Sequence, residues 1–136
     1  AQSPDASGLH ELRAFIALQS GRPDVALPHL QRALEQRPDL AATWQNYSLA
    51  LERLGQEEAS LQAAQRAAAL DPTAEATLRV GDLQAARGLQ RQARASWALA
   101  AARAPSPAAA AEIRKRLEAK GPRVENDAPR HTAPTN

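Results

Sequence analysis

Glycine and proline recur along this chain at one interval, and this recurrence constrains the fold more than any other feature. Gly21, Gly55 and Gly88 are 34 and 33 residues apart, and Pro38, Pro72 and Pro105 are separated by the same two intervals. Each proline follows its glycine by 17 residues. A period of this length is typical of proteins built from stacked repeats. The sequence therefore predicts copies of one structural unit.

Between each glycine and the proline that follows it lies a stripe of mostly small apolar residues with helical spacing (i, i+4, i+7). The stripes are Ala26, Leu30 and Ala33, then Ser60, Ala64 and Ala67, then Ala93, Trp97 and Ala100. Glycine ends a helix in the left-handed conformation, and proline cannot continue one. Each unit is therefore predicted to be a hairpin of two closely packed helices, which must stack on its neighbours to bury its apolar face.

The composition favours an all-α fold. Hydrophobic residues make up 43% of the chain but aromatic residues only 3%, so the core must be built largely from leucine and alanine. Strands prefer β-branched and aromatic residues, which are scarce here. The chain has no cysteine, which excludes disulfides, thiolate metal sites and a cysteine nucleophile.

The patterns predict seven helices. The first six are expected over residues 7–20, 24–36, 40–54, 57–70, 74–87 and 90–103, and an amphipathic seventh over 107–119. In the seventh, Ala110, Ile113 and Leu117 are expected to face inward, with the cationic run 114–116 outward. Pro28 falls about one turn inside the second predicted helix, which predicts a delayed start or a mild kink there.

The repeats resemble the tetratricopeptide family, whose pattern is Trp-x2-Leu-Gly-x2-Tyr, then Ala-x3-Phe, then Ala and Pro. The second repeat matches best, with Trp44, Tyr47, Ser48, Leu51, Gly55, Ser60, Ala64, Ala67 and Pro72. In the third, Val80 and Gly81 occupy the Leu-Gly places and Trp97 the Phe place. In the first, His10 and Arg13 replace the expected Trp and Leu. The resemblance implies an all-α solenoid of three antiparallel helix-turn-helix repeats with a C-terminal capping helix.

The implied organisation is one repeat domain with short flanking segments. Residues 1–6 are expected to form a flexible arm, and residues 7–119 the domain, with repeats 7–40, 41–74 and 75–105 and a capping helix 107–119. Repeat arrays need such a cap to cover their last apolar face. Residues 120–136 are rich in proline, asparagine and threonine without periodicity, so we expect a disordered tail.

No residue pattern indicates catalysis or metal binding. His10, His29 and His131 are far apart in the sequence, and no pair has the spacing of a metal site. Glu57 and Glu58 begin a predicted helix, where carboxylates complement the helix dipole. Ser48 and Ser60 fall on the family's small-residue packing positions. The sequence predicts no enzyme, no cofactor, no metal and no small-molecule substrate.

The resemblance implies that the first helix of each repeat lines a concave groove for an extended or helical peptide. The groove positions are Glu11, Phe15, Leu18 and Gln19, then Gln45, Asn46, Leu49, Glu52 and Arg53, then Leu78, Arg79 and Asp82. They combine an apolar strip with charged edges, which predicts a partner segment with apolar anchors and mixed charge. The alternative is that Phe15 and Leu18 simply pack against the N-terminal arm.

One subfamily grips the C-terminal carboxylate of chaperones with a clamp of two lysines, two asparagines and one arginine. Asn46 and Arg79 match two of these positions, but Glu11, Phe15 and Glu75 occupy the other three. Two carboxylates would repel a third. A carboxylate clamp is therefore disfavoured here.

Two alternatives to a monomeric adaptor remain open. Residues 1–78 carry a net charge of −4 and residues 79–136 one of +6, so copies of the chain could associate head to tail or by exchanging helices. Nucleic-acid binding is the other alternative, because Arg87, Arg91 and Arg94 form a stripe and residues 114–116 a second basic cluster. Interleaved aromatic residues are missing, which favours a solvated face instead.

The expected role is that of an adaptor in the assembly of a bacterial envelope or secretion-type complex. This follows from the Ala-, Arg- and Gln-rich composition and from what small proteins of the family do. The first residues, Ala-Gln-Ser-Pro, suit the end left by removal of a signal peptide, which implies the periplasm, or equally a cut in a longer chain, which leaves the cytoplasm. No apolar run approaches the ~18 residues that span a bilayer.

Overall fold

The computed structural model describes residues 6–119, so that most of the expected arm and the whole expected tail lie outside the described residues. The helices are α1 (Ala6–Gln19), α2 (Pro23–Gln36), α3 (Ala41–Arg53), α4 (Glu57–Leu70), α5 (Ala74–Ala86), α6 (Gln90–Arg103) and α7 (Pro107–Ala119). Every bound lies within one residue of its prediction. The described range contains no strand, and the predicted all-α class is confirmed.

The first helix of each repeat ends in the same way. Gly21, Gly55 and Gly88 adopt φ values of 73°, 81° and 81°. The residue after each glycine donates its backbone N–H to a carbonyl five residues back, as in Arg22 to Ala17 at 2.8 Å. This is the bonding of a Schellman motif, in which glycine takes the left-handed position that other residues avoid. The glycine period is therefore a period of helix ends.

Pro28 does not delay the second helix. Helix α2 begins at Pro23 and continues through Pro28 to Gln36, so the expected late start is wrong. Proline is favoured in the first turn of a helix because its φ is already helical and its missing N–H has no partner to lose there. Pro23 therefore sets the beginning, and Asp24 adds a favourable negative charge to the first turn.

The chain divides after Pro72 into two compact units, with helices α1–α4 in the first and α5–α7 in the second. In the first unit, α1 packs on α2, α2 on α3, and α3 on α4. One cluster of its core consists of small apolar side chains and leucines: Ala14, Ala17, Leu18, Ala26, Leu30 and Ala50, with Leu27, Tyr47 and Leu49 packed against them. Alanine at the contacts allows the helix axes to approach closely.

Ser48 and Ser60 form the crossing of α3 and α4. Both side chains are fully buried, and each hydroxyl donates to the backbone carbonyl of the other residue at 2.8 Å. The two hydroxyl oxygens are also 3.0 Å apart. Buried hydroxyls are costly unless hydrogen-bonded, and these are. The predicted packing role of the two serines is confirmed.

The second unit builds the equivalent crossing from Gly81 and Trp97. A Cβ on Gly81 would lie 2.6 Å from Trp97 Cδ1, so the indole ring occupies the space where a side chain would stand. Trp97 is almost fully buried, and its Nε1 donates to Asp82 Oδ1 at 2.9 Å. The polar atom of the ring is thereby satisfied within the same hairpin.

Helix α7 covers the apolar side of α6, as predicted. Ala110 and Ile113 are buried, and Ile113 joins Ala100 and Ala101 in one cluster. Arg94 on α6 donates to the backbone oxygen of Leu117 at 3.0 Å. Residues 114–116 are exposed, also as predicted.

Candidate functional site

Two hydrogen bonds fix the first helices of the first two repeats against each other. The Thr43 hydroxyl donates to Glu11 Oε2 at 2.6 Å, and Arg53 Nη1 donates to the backbone oxygen of Leu18 at 3.0 Å. Thr43 is 1% exposed, so the bond to Glu11 is sheltered from water. One bond starts from the middle of α1 and the other from its last turn, so together they hold α1 and α3 in one register. A partner would meet a preset surface rather than one that has to form.

Phe15 lies between these two bonds along α1 and is exposed. It is the single phenylalanine of the chain, and 51% of it is accessible. It follows Glu11 by four residues, which places it on the side of α1 nearer to α3. A half-exposed aromatic side chain on a rigid helix is the type of residue that anchors protein interfaces.

The predicted residues of α3 divide into half-buried and exposed members. Gln45, Asn46 and Leu49 are half-buried, and Leu49 packs against the core of the first unit. Glu52 and Arg53 are exposed at the end of the helix. Together with Glu11, Phe15 and Gln19 of α1, these five residues form what we call the α1–α3 face. It has an apolar centre with polar and charged margins.

Leu18, which was predicted to line the groove, is buried instead. Only 4% of it is exposed, because it packs in the core of the first unit together with Ala50. The helical period alone did not determine this, because α1 is apolar nearly all round and its sequence does not show which side meets α3. The expected apolar strip therefore loses Leu18.

The other three predicted residues belong to the second unit. Leu78 is half-buried against the cluster of Ile113, and Arg79 is also half-buried. Asp82 accepts the hydrogen bond from Trp97 and lies 3.5 Å from Arg116 of α7. Asp82 therefore ties α5 to α6 and α7, a structural role that the resemblance did not indicate. A single site that includes residues of both units stays a prediction.

His10 and His29, which the sequence analysis treated as unrelated, lie side by side. Their Nδ1 atoms are 3.1 Å apart, so one ring donates to the other, and their ring centroids are 5.3 Å apart. Partial burial lowers the pKa of His10, and the charges of His29, Arg32 and Arg13 lower it further. The α1–α2 hairpin brings the two rings together across 19 residues of sequence. His131 lies outside the described residues.

Within residues 6–119, no group of three or more histidine or acidic side chains is placed to hold a metal ion. The charges of Arg32 and Arg13, which act on His10, also oppose a cation there. None of the helices in the same range is long and apolar enough to cross a membrane. The expected stripe of Arg87, Arg91 and Arg94 is not a freely solvated row, because Arg94 is half-buried and donates to the Leu117 carbonyl.

The outward side of α1 carries exposed apolar residues that were not predicted as part of a site. Leu9, Leu12 and Ile16 are 47%, 55% and 55% exposed. None of them was assigned to a site, although their spacing is visible in the sequence. The signal that could have found them is that both sides of this helix are apolar, whereas one side suffices for a terminal helix.

Comparison with solved structures identifies the class of fold. The translocator chaperone SycD of Yersinia enterocolitica is similar with a TM-score of 0.81 and 18% identity, over 92% of this chain and 90% of that one. PcrH, solved in complex with the chaperone binding region of PopD, has a TM-score of 0.79 and 23% identity, over 90% and 96% of the two chains. The first TPR of Spaghetti (RPAP3), bound to an HSP90 peptide, has a TM-score of 0.74 and 18% identity, over 88% and 96%.

The chain therefore has the tetratricopeptide-repeat fold, and the resemblance stated from its glycine, proline and alanine pattern is confirmed. No family model matches the sequence, and no curated sequence is significantly similar to it. Because the identities are low, the comparisons establish the fold and leave function to the site.

Proposed function

We propose that this protein is a non-enzymatic adaptor that binds a polypeptide segment of another protein on its α1–α3 face. The observation that carries the proposal is the exposed Phe15 beside helices held in register by the Glu11–Thr43 and Arg53–Leu18 bonds. An exposed aromatic ring supplies apolar area at little conformational cost, and a rigid support keeps that area available.

The chemistry of the face favours an apolar anchor over a terminal carboxylate. Glu11 is near Phe15 and already accepts a hydrogen bond, and it would repel a second carboxylate. Arg53 is engaged with the Leu18 carbonyl. The partner segment is therefore one with an apolar side chain for the region of Phe15 and Leu49, and with charges of both signs at its margins.

Solved relatives of the fold support a peptide-binding role. PcrH was solved with a binding region of PopD, and the Spaghetti domain with an HSP90 peptide. SycD is described as a translocator chaperone of type III secretion. By this analogy of fold, we propose that the bound segment belongs to a component of a bacterial envelope or secretion-type complex, which the adaptor helps to assemble.

A unique cysteine provides the test, because the chain has none of its own. Phe15→Cys labelled with a photo-cross-linker is incubated in extract of the native organism, with Gln65→Cys on the exposed side of α4 as the matched control. We expect one protein to be cross-linked from position 15 and not from position 65, and unlabelled wild-type protein to compete with it.

The segment identified by mass spectrometry is then synthesised and titrated against wild type and Phe15→Glu by fluorescence anisotropy. Loss of one apolar anchor should weaken binding at least about tenfold. The helical circular dichroism should be unchanged, because Phe15 is half exposed. Equal cross-linking from both positions, or full affinity in Phe15→Glu, would contradict the proposal.

A further inference from the structure

Helix α1 is apolar on two opposite sides, and among the described residues only one of these sides is covered. Ala14, Ala17 and Leu18 lie in the core, whereas Leu9, Leu12 and Ile16 are about half exposed. The remaining large apolar side chains that are exposed outside α1 in the described range are Val25, Leu54, Leu70 and Leu99, at most one on any helix. A helix that is apolar all round is expected to be buried on both sides.

The three exposed side chains form one stripe because they are spaced i, i+3 and i+7. Together with Val25 of α2 we call them the outer face. Ile16 and Val25 border a hollow of about 400 Å³, which is lined by Arg13, Ile16, Ala17, Ser20, Arg22, Val25 and His29. The stripe spans about 10 Å along the helix axis at 1.5 Å per residue. A contiguous apolar strip with a hollow at its end is the shape that receives another helix.

The surroundings of the outer face are cationic. Arg13 and Arg22 line the hollow, and none of the described residues that line it is a carboxylate. Arg22 also lies 3.4 Å from Asp24, and this hydrogen bond lowers the pKa of the Asp24 carboxyl. Arg32 and Arg13 are close enough to His10 for their charges to act on it. This local charge differs from the negative net charge of residues 1–78 and favours an acidic partner.

A second copy of this chain is a poor occupant. The helix at the other end, α7, exposes Arg114, Lys115 and Arg116, which would meet Arg13 and Arg22 with like charge. Two α1 helices set against each other would oppose the same arginines. Like charges brought together at an interface cost binding free energy.

We propose that the outer face of α1 is a docking site for an amphipathic helix of a different protein, with apolar residues at i, i+3 or i+4, and i+7 and with acidic residues flanking them. The apolar residues of that helix cover Leu9, Leu12 and Ile16, one side chain enters the hollow beside Val25, and the carboxylates meet Arg13 and Arg22. The outer face adjoins the α1–α3 face, because Leu12 and Phe15 are three residues apart on α1, but its centre at Ile16 is turned from Phe15 by about 100° around the helix.

Two labelled synthetic peptides provide the test. Both carry leucines at i, i+3 and i+7 on a helix-forming background, one with glutamates on the flanks and the other with lysines at the same places. Fluorescence anisotropy should show tighter binding of the acidic peptide, and that binding should weaken as salt is raised. Replacing Leu12 and Ile16 together with glutamate should reduce the affinity at least about tenfold.

Matched variants separate the outer face from general effects. Leu99→Glu alters a leucine on α6 that is also about half exposed, and this variant should bind the acidic peptide like wild type. Arg13→Glu should reverse the preference between the two peptides. Because Phe15 is one turn from Leu12, the independent variant is on α3: Asn46→Glu should leave this binding intact even if it weakens binding of the α1–α3 partner, so the two sites fail independently.

Three results would overturn the assignment. The first is equal binding of both peptides, the second is unchanged affinity in the Leu12 and Ile16 variant, and the third is peptide preference unaffected by Arg13→Glu. Light scattering after gel filtration adds a fourth: a dimer of wild type that becomes a monomer in Ile16→Glu would assign the outer face to a second copy instead.

Discussion

The first and last helices of this protein differ in how many of their sides are apolar. Helix α7 is apolar on one side, which is buried through Ala110 and Ile113, and it turns a cationic side to water. Helix α1 is apolar on both sides and leaves Leu12 and Ile16 about half exposed. A terminal helix can therefore either cover the apolar side of its neighbour or leave a second apolar side exposed. The pattern of apolar residues along the helix distinguishes the two cases.

The largest expected effect on stability is a difference between substitutions in α7 and in α1. Ile113→Glu places a carboxylate in a site that is 8% exposed, and it should lower the free energy of unfolding by about 3 kcal/mol or more. Ile16→Glu, at 55% exposure, should change it by less than about 0.5 kcal/mol. Urea denaturation followed by circular dichroism measures both.

Each unit contains one of the two tryptophans, so Trp44→Phe leaves Trp97 as a reporter of the second unit. The destabilisation caused by Ile113→Glu should appear in the fluorescence of Trp97. Similar losses in the Ile113 and Ile16 variants would mean that α1 is covered as fully as α7, and the comparison would fail.

The two helix crossings provide a second comparison between the units. Gly81→Ala should destabilise the protein by about 1–3 kcal/mol, since the added Cβ meets the buried Trp97 ring and overpacks the crossing. Helix propensity alone would make alanine stabilising by about 1 kcal/mol relative to glycine, so a loss of stability would point to the contact with Trp97. Thermal unfolding of the purified variant gives the change.

The matched control is Gly8→Ala, where an added Cβ meets no atom within 4 Å. It should cost no stability. A stabilised Gly81→Ala protein would show that the indole ring moves aside freely, and that glycine is not required at the α5–α6 crossing.

The serine crossing of the first unit predicts a smaller effect with a distinct pattern. Ser48→Ala should cost about 1–2 kcal/mol, because it removes the hydroxyl that donates to Ser60 O and leaves the bonds of Ser60 incomplete. The double variant with Ser60→Ala should cost less than the sum of the two single changes.

A physical reason for this non-additivity lies in the first repeat, where Ala14 and Ala26 occupy the equivalent places and are both fully buried. The double variant reproduces that apolar crossing. Additive losses in a double-mutant cycle, measured by chemical denaturation, would show that the two hydroxyls act independently.

The smallest expected effect concerns pH. The pKa of His10 is lower in the folded protein than its ordinary value of 6.5, so the unfolded chain binds the proton more readily. The stability that this group contributes is therefore complete above pH 6.5 and is lost as the pH falls through the lower folded pKa. The His10–His29 bond needs one neutral ring as acceptor, so it is lost when both rings are protonated.

Melting temperatures at pH 7.5 and pH 5 test this prediction. The melting temperature should fall more between pH 7.5 and pH 5 in wild type than in His10→Gln. Asp24 and Asp39 have pKa values below 3.8, so their carboxyls do not titrate in this window. Equal falls in melting temperature in wild type and variant would show that the histidine pair does not contribute to the pH dependence of stability.

Local rules explain why the helices could be predicted to within one residue. Gly21, Gly55 and Gly88 end helices through their own backbone conformation, and the prolines exclude helix from the residues before them. Neither effect depends on distant parts of the chain. The predicted packing role of Ser48 and Ser60 also came from sequence, since the repeat phase placed them at the helix crossing.

The candidate site was less predictable because it depends on which side of a helix is covered. Phe15 was expected to be accessible and is half exposed, whereas Leu18, expected beside it, is in the core. Both residues are apolar, and α1 offers no polar side that would orient it. Asp82 was predicted as a groove residue, yet its bond to Trp97 follows from a contact across 15 residues.

The sequence by itself determined the repeat period, the ends of the helices and the all-α fold, because glycine, proline and small residues act through local conformation and helical spacing. Tertiary structure alone decided that His10 meets His29, that Leu18 is buried while Ile16 is not, and that cations surround the outer face. These properties depend on the packing of helices against one another, and a helix apolar on both sides carries no local signal for choosing between them.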